Sequence, residues 1–427
     1  MVAPFALLLM AIAVMPFVAK HWWERNYQKV SIGLGVIVVA YYLAVLHNGP
    51  RMVTTAVEYT GFIALIGSLF VVASGIHINM TGRSTPAANT GMLALGAILA
   101  NFIGTTGASM LLIRPFLRIN KYRVAPFQVV FFIFIVSNVG GALTPIGDPP
   151  LFLGYLKGVP FFWLLTKPNV LMTWLMTVGI LLALFFVFDT LNYRKHKPPA
   201  QEETKDRIEL EGAHNFLWLF AIIGLVLVQK ADWVKALGHE HLVTAVIAGL
   251  MVAVAAIAYK FANKDALTEN EFSFGPVKEV GFLFVGIFAT MVPALDLLEK
   301  HAGDLGITTV RQFYWGSGAL SSVLDNAPTY LNFLTAAFGL NHRSLEVPAD
   351  VSYFLAHPEM SEFIIAISLG SVFFGAVTYI GNGPNFMVKS IAESAGVKCP
   401  SFFGYVFKYS LPILIPIFAL VAWLFLR

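Results

Sequence analysis

The chain has 427 residues, of which 57% are hydrophobic and only 12% charged, and its formal net charge is +4. Soluble domains carry about 25% charged residues, and their helices show a polar face that the long apolar runs here lack; the composition therefore places the chain in the lipid bilayer. The small positive balance gives no reason to expect nucleic acid as a partner, and the single cysteine, Cys399, excludes a disulfide framework and a thiolate metal cluster.

A membrane-crossing helix takes about 20 apolar residues. The first candidate, 2–18, is followed by Lys20 and two tryptophans rather than by a small-residue cleavage site, so it reads as a retained helix and not as a signal peptide. Further spans are expected at 30–46, 58–78, 126–141 and 168–189. A polar stretch, 192–214, with Arg194, Lys195, Lys197 and a Glu-rich run, reads as a solvated linker. Spans at 216–228, 242–259, 276–298, 363–377 and 402–426 complete the chain.

Two apolar segments do not fit as simple spans. Residues 90–119 carry Gly104-Thr105-Thr106-Gly107 at their centre, and residues 314–340 carry Asp325-Asn326-Ala327-Pro328-Thr329. Split there, each arm is about 14 residues or roughly 21 Å of helix, short of the roughly 30 Å hydrocarbon core. Both are expected to be re-entrant hairpins, with polar tips at mid-depth and buried in protein.

The halves resemble each other. Residues 137–150 align onto 371–384 at a shift of 234, the hairpin tips at 221, and Gly61-Phe62 onto Gly281-Phe282 at 220. Five crossings and one hairpin per half is an odd number of crossings. The second repeat, 215–427, is therefore expected to be inverted relative to the first, 1–191, across the linker at 192–214. The expected fold is an all-α polytopic membrane protein of two inverted repeats with broken helices at mid-membrane, which is a transporter architecture. Of the 28 Lys and Arg residues, 18 fall on the linker side, 9 on the other and one, Arg114, inside a hairpin arm. That bias makes the linker cytoplasmic and the termini outward-facing in the cell's inner membrane.

The strongest chemical signal is Thr144-Pro145-Ile146-Gly147-Asp148-Pro149-Pro150. Three prolines in this run force a helix break, Gly147 permits a tight turn, and the freed carbonyls with the Asp148 carboxylate are the oxygen ligands a hard cation takes. An ionisable residue inside the membrane is a functional hypothesis by default, although Asp148 also suits the cap of a helix that starts at Pro149. The second break, Thr378-Tyr379-Ile380-Gly381-Asn382-Gly383-Pro384-Asn385, has Asn382 in place of the aspartate. Asp325, with Asn326 and Thr329, supplies the second deep carboxylate, while Thr105 and Thr106 give the first tip only hydroxyls and backbone. Ser137, Asn138, Thr144, Thr378, Asn382 and Asn385 complete the candidate ligands, with Asp148 and Asp325 as the Na⁺ candidates.

At these motifs the sequence resembles the ion transporter superfamily, which includes NhaD-type sodium/proton antiporters, arsenite permeases and citrate or dicarboxylate carriers. Gly140-Gly141-Ala142-Leu143-Thr144-Pro145-Ile146-Gly147-Asp148 looks like the NhaD motif, and Asp325-Asn326-Ala327-Pro328 like that family's second acidic motif. Pro149-Pro150 is closer to the arsenite permease pattern, which continues with Asn where this chain has Leu151. The resemblance implies a scaffold domain, a transport domain that moves by an elevator-type motion, and a homodimer.

The leading function is a sodium/proton antiporter needing no cofactor beyond the transported or coupling ions Na⁺ and H⁺, whose competition for a carboxylate suffices to couple exchange. The alternatives are a citrate or dicarboxylate symporter, which would draw on helix N-termini and on Arg114, and a metalloid efflux permease. An intramembrane enzyme is not expected, because no His-Glu-x-x-His occurs and Gly381-Asn382-Gly383 is followed by Pro384 rather than by a catalytic aspartate. The orientation has a direct check. A cysteine placed at Ala200 should not react with an impermeant thiol reagent in intact cells; ready labelling there would reverse the topology.

Overall fold

The computed structural model describes residues 1–81, 84–196, 207–235 and 238–426. In the first half, α1 (Ala3–Val18) breaks at Ala19 and is followed by α2 (Lys20–Ala44), α3 (Gly49–Ser74), α4 (Pro86–Ile119), α5 (Pro126–Ile135), α6 (Pro149–Leu156) and α7 (Pro168–Lys195). The second half holds α8 (Asn215–Gln229), α9 (Asp232–Lys235), α10 (Glu240–Phe261), α11 (Lys264–Glu269), α12 (Gly275–His301), α13 (Val310–Ser321), α14 (Asn326–Leu340), α15 (Pro348–Ala356), α16 (Pro358–Phe374), α17 (Gly383–Ser394) and α18 (Phe402–Tyr405). From α18 the chain runs through a π-helical stretch, Val406–Leu414, into α19 (Ile415–Phe425).

Helix starts follow local chemistry. Asn48 accepts a hydrogen bond from the Arg51 amide and Pro50 fills the first turn of α3, so that helix begins nine residues before the expected span. Thr85 caps α4 in the same way, ahead of Pro86. α2 likewise starts at Lys20 rather than at residue 30, because its polar first turns stay helical outside the apolar stretch.

α4 is a hairpin. Gly104 sits at φ 76°, ψ 158°, outside the helical region, and only a residue without Cβ adopts this backbone cheaply. Beyond it the chain doubles back. Asn89 and Asn120 exchange side-chain hydrogen bonds of 2.8 and 2.9 Å, whereas a straight helix would hold them about 46 Å apart. The second hairpin closes in the same way, with Phe313 of α13 and Phe333 of α14 packed edge to face at a centroid distance of 6.1 Å. Among the described residues eight helices are long and apolar enough to cross a membrane, with shorter apolar helices at Ala3–Pro16, Pro126–Gly141 and Asn215–Gln229. Once α4 is set aside, these correspond to the ten spans expected from sequence. The protein is a polytopic all-α membrane protein.

One element departs from the all-helical expectation. β1 (His77–Thr81) pairs antiparallel with β2 (Arg207–Glu211), His77 facing Glu211. The expected linker is therefore structured at both ends: α7 runs to Lys195 and β2 occupies 207–211, while 197–206, including Lys197 and Ala200, lies outside the described residues. His77 opens β1, beyond the end of α3. It is a buried strand residue whose Nδ1 lies 2.9 Å from Asn270 Oδ1.

The helices pack in two groups. In the first, α2 and α3 lie along α12, and α10 lies along α3 and α8. In the second, α4, α5, α7 and α17 pack together, as do α13, α14 and α16. The groups meet where α12 faces α14 and α3 faces α4. A largely shielded ion network ties them together at one end. Lys157 lies 2.7 Å from Glu58 and 2.5 Å from Glu346, and Arg51 reaches Glu346 at 2.8 Å and Asp296 at 3.3 Å. Burial raises the pKa of the Glu346 carboxyl, but Lys157 and Arg51 outweigh it and hold the group below its usual range. Glu58 and Asp296 thus belong to this network.

A second buried network pins α7 to the base of the first hairpin. Arg123 pairs with both oxygens of Asp189 at 2.6 and 2.8 Å, both side chains are fully buried, and Asn89 and Gln128 donate to the same carboxylate at 2.8 and 2.7 Å. Removing one partner of such a pair strands a buried charge. Asp189→Ala should cost about 3–5 kcal/mol, read as a lowered thermal midpoint in detergent, whereas replacing Arg123 and Asp189 together with leucine should recover most of the loss. A single variant as stable as the wild type would contradict this account of the network.

Candidate ion-binding site

The two hairpin tips and the two helix breaks meet at Asp148. Its side chain is buried, with the residue 1% exposed, and its carboxylate accepts hydrogen bonds from three neutral side chains. Thr105 Oγ1 and Asn382 Nδ2 donate to Oδ1, each at 2.9 Å, and Asn326 Nδ2 donates to Oδ2. One donor comes from each of the other three motifs: the first tip, the second break and the second tip.

The same convergence brings four helix starts together. Thr105 opens the second arm of α4, Asp148 precedes α6, Asn326 opens α14 and Asn382 precedes α17. Helix N-termini carry partial positive charge, and here they surround a carboxylate. Asp148 is the N-cap residue of α6 by position, yet its side chain makes no cap bond to that helix and is turned into the cluster. Asp325 does act as a cap, accepting from Ala327 N at 3.0 Å. It precedes Asn326, so the second carboxylate stands one residue away from a donor to the first.

Each break is held in place by its threonine. Thr144 Oγ1 donates to the Asn101 carbonyl at 2.6 Å and accepts from Gly147 N at 3.2 Å. Thr378 Oγ1 donates to the Ser322 carbonyl and accepts from Gly381 N at 3.2 Å. The pairs 144/378 and 101/322 reproduce the sequence shifts of 234 and 221. Gly147 is required by close approach, since a Cβ there would lie 2.1 Å from the Gly141 carbonyl oxygen, and its own carbonyl accepts from Thr105 N at 2.9 Å.

A second layer orients the donors. Asn382 Nδ2 also reaches the Ser137 carbonyl and Asn138 Oδ1, both at 3.2 Å. Asn138 donates to Asn385 Oδ1 at 2.7 Å, and Asn385 donates to the carbonyls of Gly375 and Thr378. Ser137 Oγ pairs with Ser109 Oγ at 2.8 Å. Of the expected candidates, Asp148, Thr105, Asn326 and Asn382 form the centre, and Ser137, Asn138 and Asn385 support it. Thr144, Gly147 and Thr378 shape the breaks. Thr329 instead donates to the Asp325 carbonyl at 2.9 Å. Thr106 is half-buried and makes no side-chain hydrogen bond among the described residues.

Asn101 is a residue that sequence reasoning passed over. Its amide donates to the Gly140 carbonyl at 2.7 Å and accepts from Leu143 N at 3.0 Å, locking the hairpin arm to the first break. An asparagine three residues before the tip glycine of an apolar arm was the available signal. Arg114 lies elsewhere, paired with Glu271 at 2.8 Å, and none of the side chains bonded to Asp148 is basic.

The chain is similar to a "46 kDa membrane protein" of Mycobacterium leprae (strain TN), at 27% identity over 338 residues that cover 71% of this chain and 68% of the relative. A family model described as "Putative citrate transport" matches residues 1–426, and the chain belongs to that family of membrane transporters.

Proposed function

We propose that the protein is a secondary active transporter in which Asp148 binds Na⁺ and H⁺ in competition, a sodium/proton antiporter. The observation that carries this reading is a buried carboxylate surrounded by neutral amide and hydroxyl donors, with no basic side chain bonded to it among the described residues. A buried charge must be paired. The partial positive charge of the four helix starts is already taken up by Asp148, so a second anion would meet a like charge with no arginine or lysine to offset it. A cation or a proton resolves the same charge directly.

The donors suit this exchange. Asn326 and Asn382 turn their NH₂ groups to the Asp148 carboxylate, and an asparagine amide carries a carbonyl oxygen on its other side. Rotation of the two amides presents carbonyl oxygens to Na⁺ beside Asp148, and Thr105 adds a hydroxyl, which together make a hard-oxygen site. Protonation of Asp148 instead supplies one O–H and removes the charge, so either ion leaves a neutral centre able to move through the bilayer.

The helix groups give the motion a form. In this reading the group containing α4, α5, α6, α7, α13, α14, α16, α17 and α19 carries the site past the group containing α2, α3, α10 and α12, as an elevator built on two inverted repeats, 1–191 and 215–427. The assembly is a homodimer in the inner membrane, with the linker at 192–214 cytoplasmic and the termini outward.

A second reading, a carrier of citrate-like carboxylates, is favoured by the family's description and by the convergence of helix N-termini. It requires Asp148 to be neutralised by a co-bound cation. Proton flux driven by Na⁺ in proteoliposomes separates the two. Asp148→Asn keeps the shape but removes the group for which the ions compete, so flux should fall to that of empty liposomes while the protein remains folded. Asp325→Asn should impair flux, although not necessarily to the same degree. Unchanged flux in Asp148→Asn at matched protein content would eliminate the antiporter reading, and retained or increased citrate uptake in that variant would favour the second.

A further inference from the structure

Away from the ion site, α7 and the last helix leave a groove of about 470 Å³ on the outer surface. Its origin is local. Pro412 lies inside the π-helical stretch and Pro416 opens the next turn, four residues apart on one face. Proline rings are short and cannot continue the backbone ladder, so this face is shallow where a long side chain would fill it. Leu184 and Phe188, also four residues apart, form the opposite wall on α7. The channel between them runs along the helices and is apolar except at one end. There Lys408, four residues before Pro412 on the same face, is exposed and makes no ion pair or hydrogen bond among the described residues. The last turn of α7, on the same linker side, adds Arg194 and Lys195, both exposed.

We infer that this groove is a binding site for an anionic phospholipid of the linker-side leaflet, with one acyl chain between the prolines and Phe188 and the phosphate on Lys408. An apolar slot in a lipid-facing surface takes hydrocarbon, and an unpaired lysine at its mouth, backed by two more cations, selects a negative headgroup. The site is independent of the chemistry at Asp148.

The test uses the full-length protein in nanodiscs containing phosphatidylglycerol and phosphatidylcholine, each in turn carrying a photoreactive acyl tail, with adducts mapped by mass spectrometry. Adducts should fall on 184–188 and 408–417, with phosphatidylglycerol favoured by about five-fold, the effect of one lysine near the membrane surface. Lys408→Ala should cut the preference by about five-fold while leaving some tail labelling, Lys408→Arg should keep it, and Ile413→Trp, which fills the groove, should abolish labelling there by both lipids. Equal labelling by the two lipids in the wild type, or a preference that Lys408→Ala leaves undiminished, overturns the proposal. So does a chain-to-chain crosslink in place of lipid adducts at these residues, which would mean that a second copy covers the groove.

Discussion

The architecture turns on one constraint: a carboxylate placed deep in a membrane protein must be satisfied from every side. Asp148 meets it with donors from three other motifs, widely separated in sequence. No one of those motifs supplies them alone, because each places a single side chain against the carboxylate. The hairpins are therefore needed to bring Thr105 and Asn326 to Asp148, and the second break is needed to bring Asn382. The breaks in turn depend on Thr144 and Thr378, whose hydroxyls tie an interrupted backbone to a neighbouring hairpin.

The short helix α6 links this centre to the rest of the molecule. Asp148 precedes its first residue and Lys157 follows its last, so the buried carboxylate stands at one end and a nearly buried ammonium at the other. A cation suits a helix C-terminus, and Lys157 extends that end to Glu58 on α3 and to Glu346 after α14. The bond to Glu58, like that from Arg51 to Glu346, joins the two helix groups, and any sliding of one group past the other must break both. Elsewhere Arg123 and Asp189 do the opposite work, binding α7 to the first hairpin and α5 within a single group.

Much of this was legible in the chain. The hairpins followed from arm length against membrane thickness, and the four motifs from polar residues, glycines and prolines interrupting apolar runs. The bonds of Thr144 to Asn101 and of Thr378 to Ser322 fall at the shifts by which the halves correspond, although the sequence did not single out Asn101 or Ser322. Three things were hidden. Helix starts at Lys20 and Gly49 depended on capping and on polar turns outside the apolar window. The β1–β2 ribbon joins strands more than a hundred residues apart, and neither five-residue segment carries a strand pattern long enough to stand out. The split between Thr105, which reaches Asp148, and Thr106, which does not, depends on which face of a helix turn points inward after a glycine of positive φ. Periodicity cannot fix that phase across a break.

The central claim is that one carboxylate alternates between proton and cation. Infrared difference spectroscopy of the purified protein, with Na⁺ exchanged for choline at constant pH across a titration series, reads the carboxyl group itself. The account predicts a protonated-carboxyl stretch that Na⁺ erases in the wild type and that is absent from Asp148→Asn. A Na⁺-sensitive carboxyl band that persists unchanged in Asp148→Asn, or a wild-type spectrum that Na⁺ leaves untouched at every pH, would contradict it.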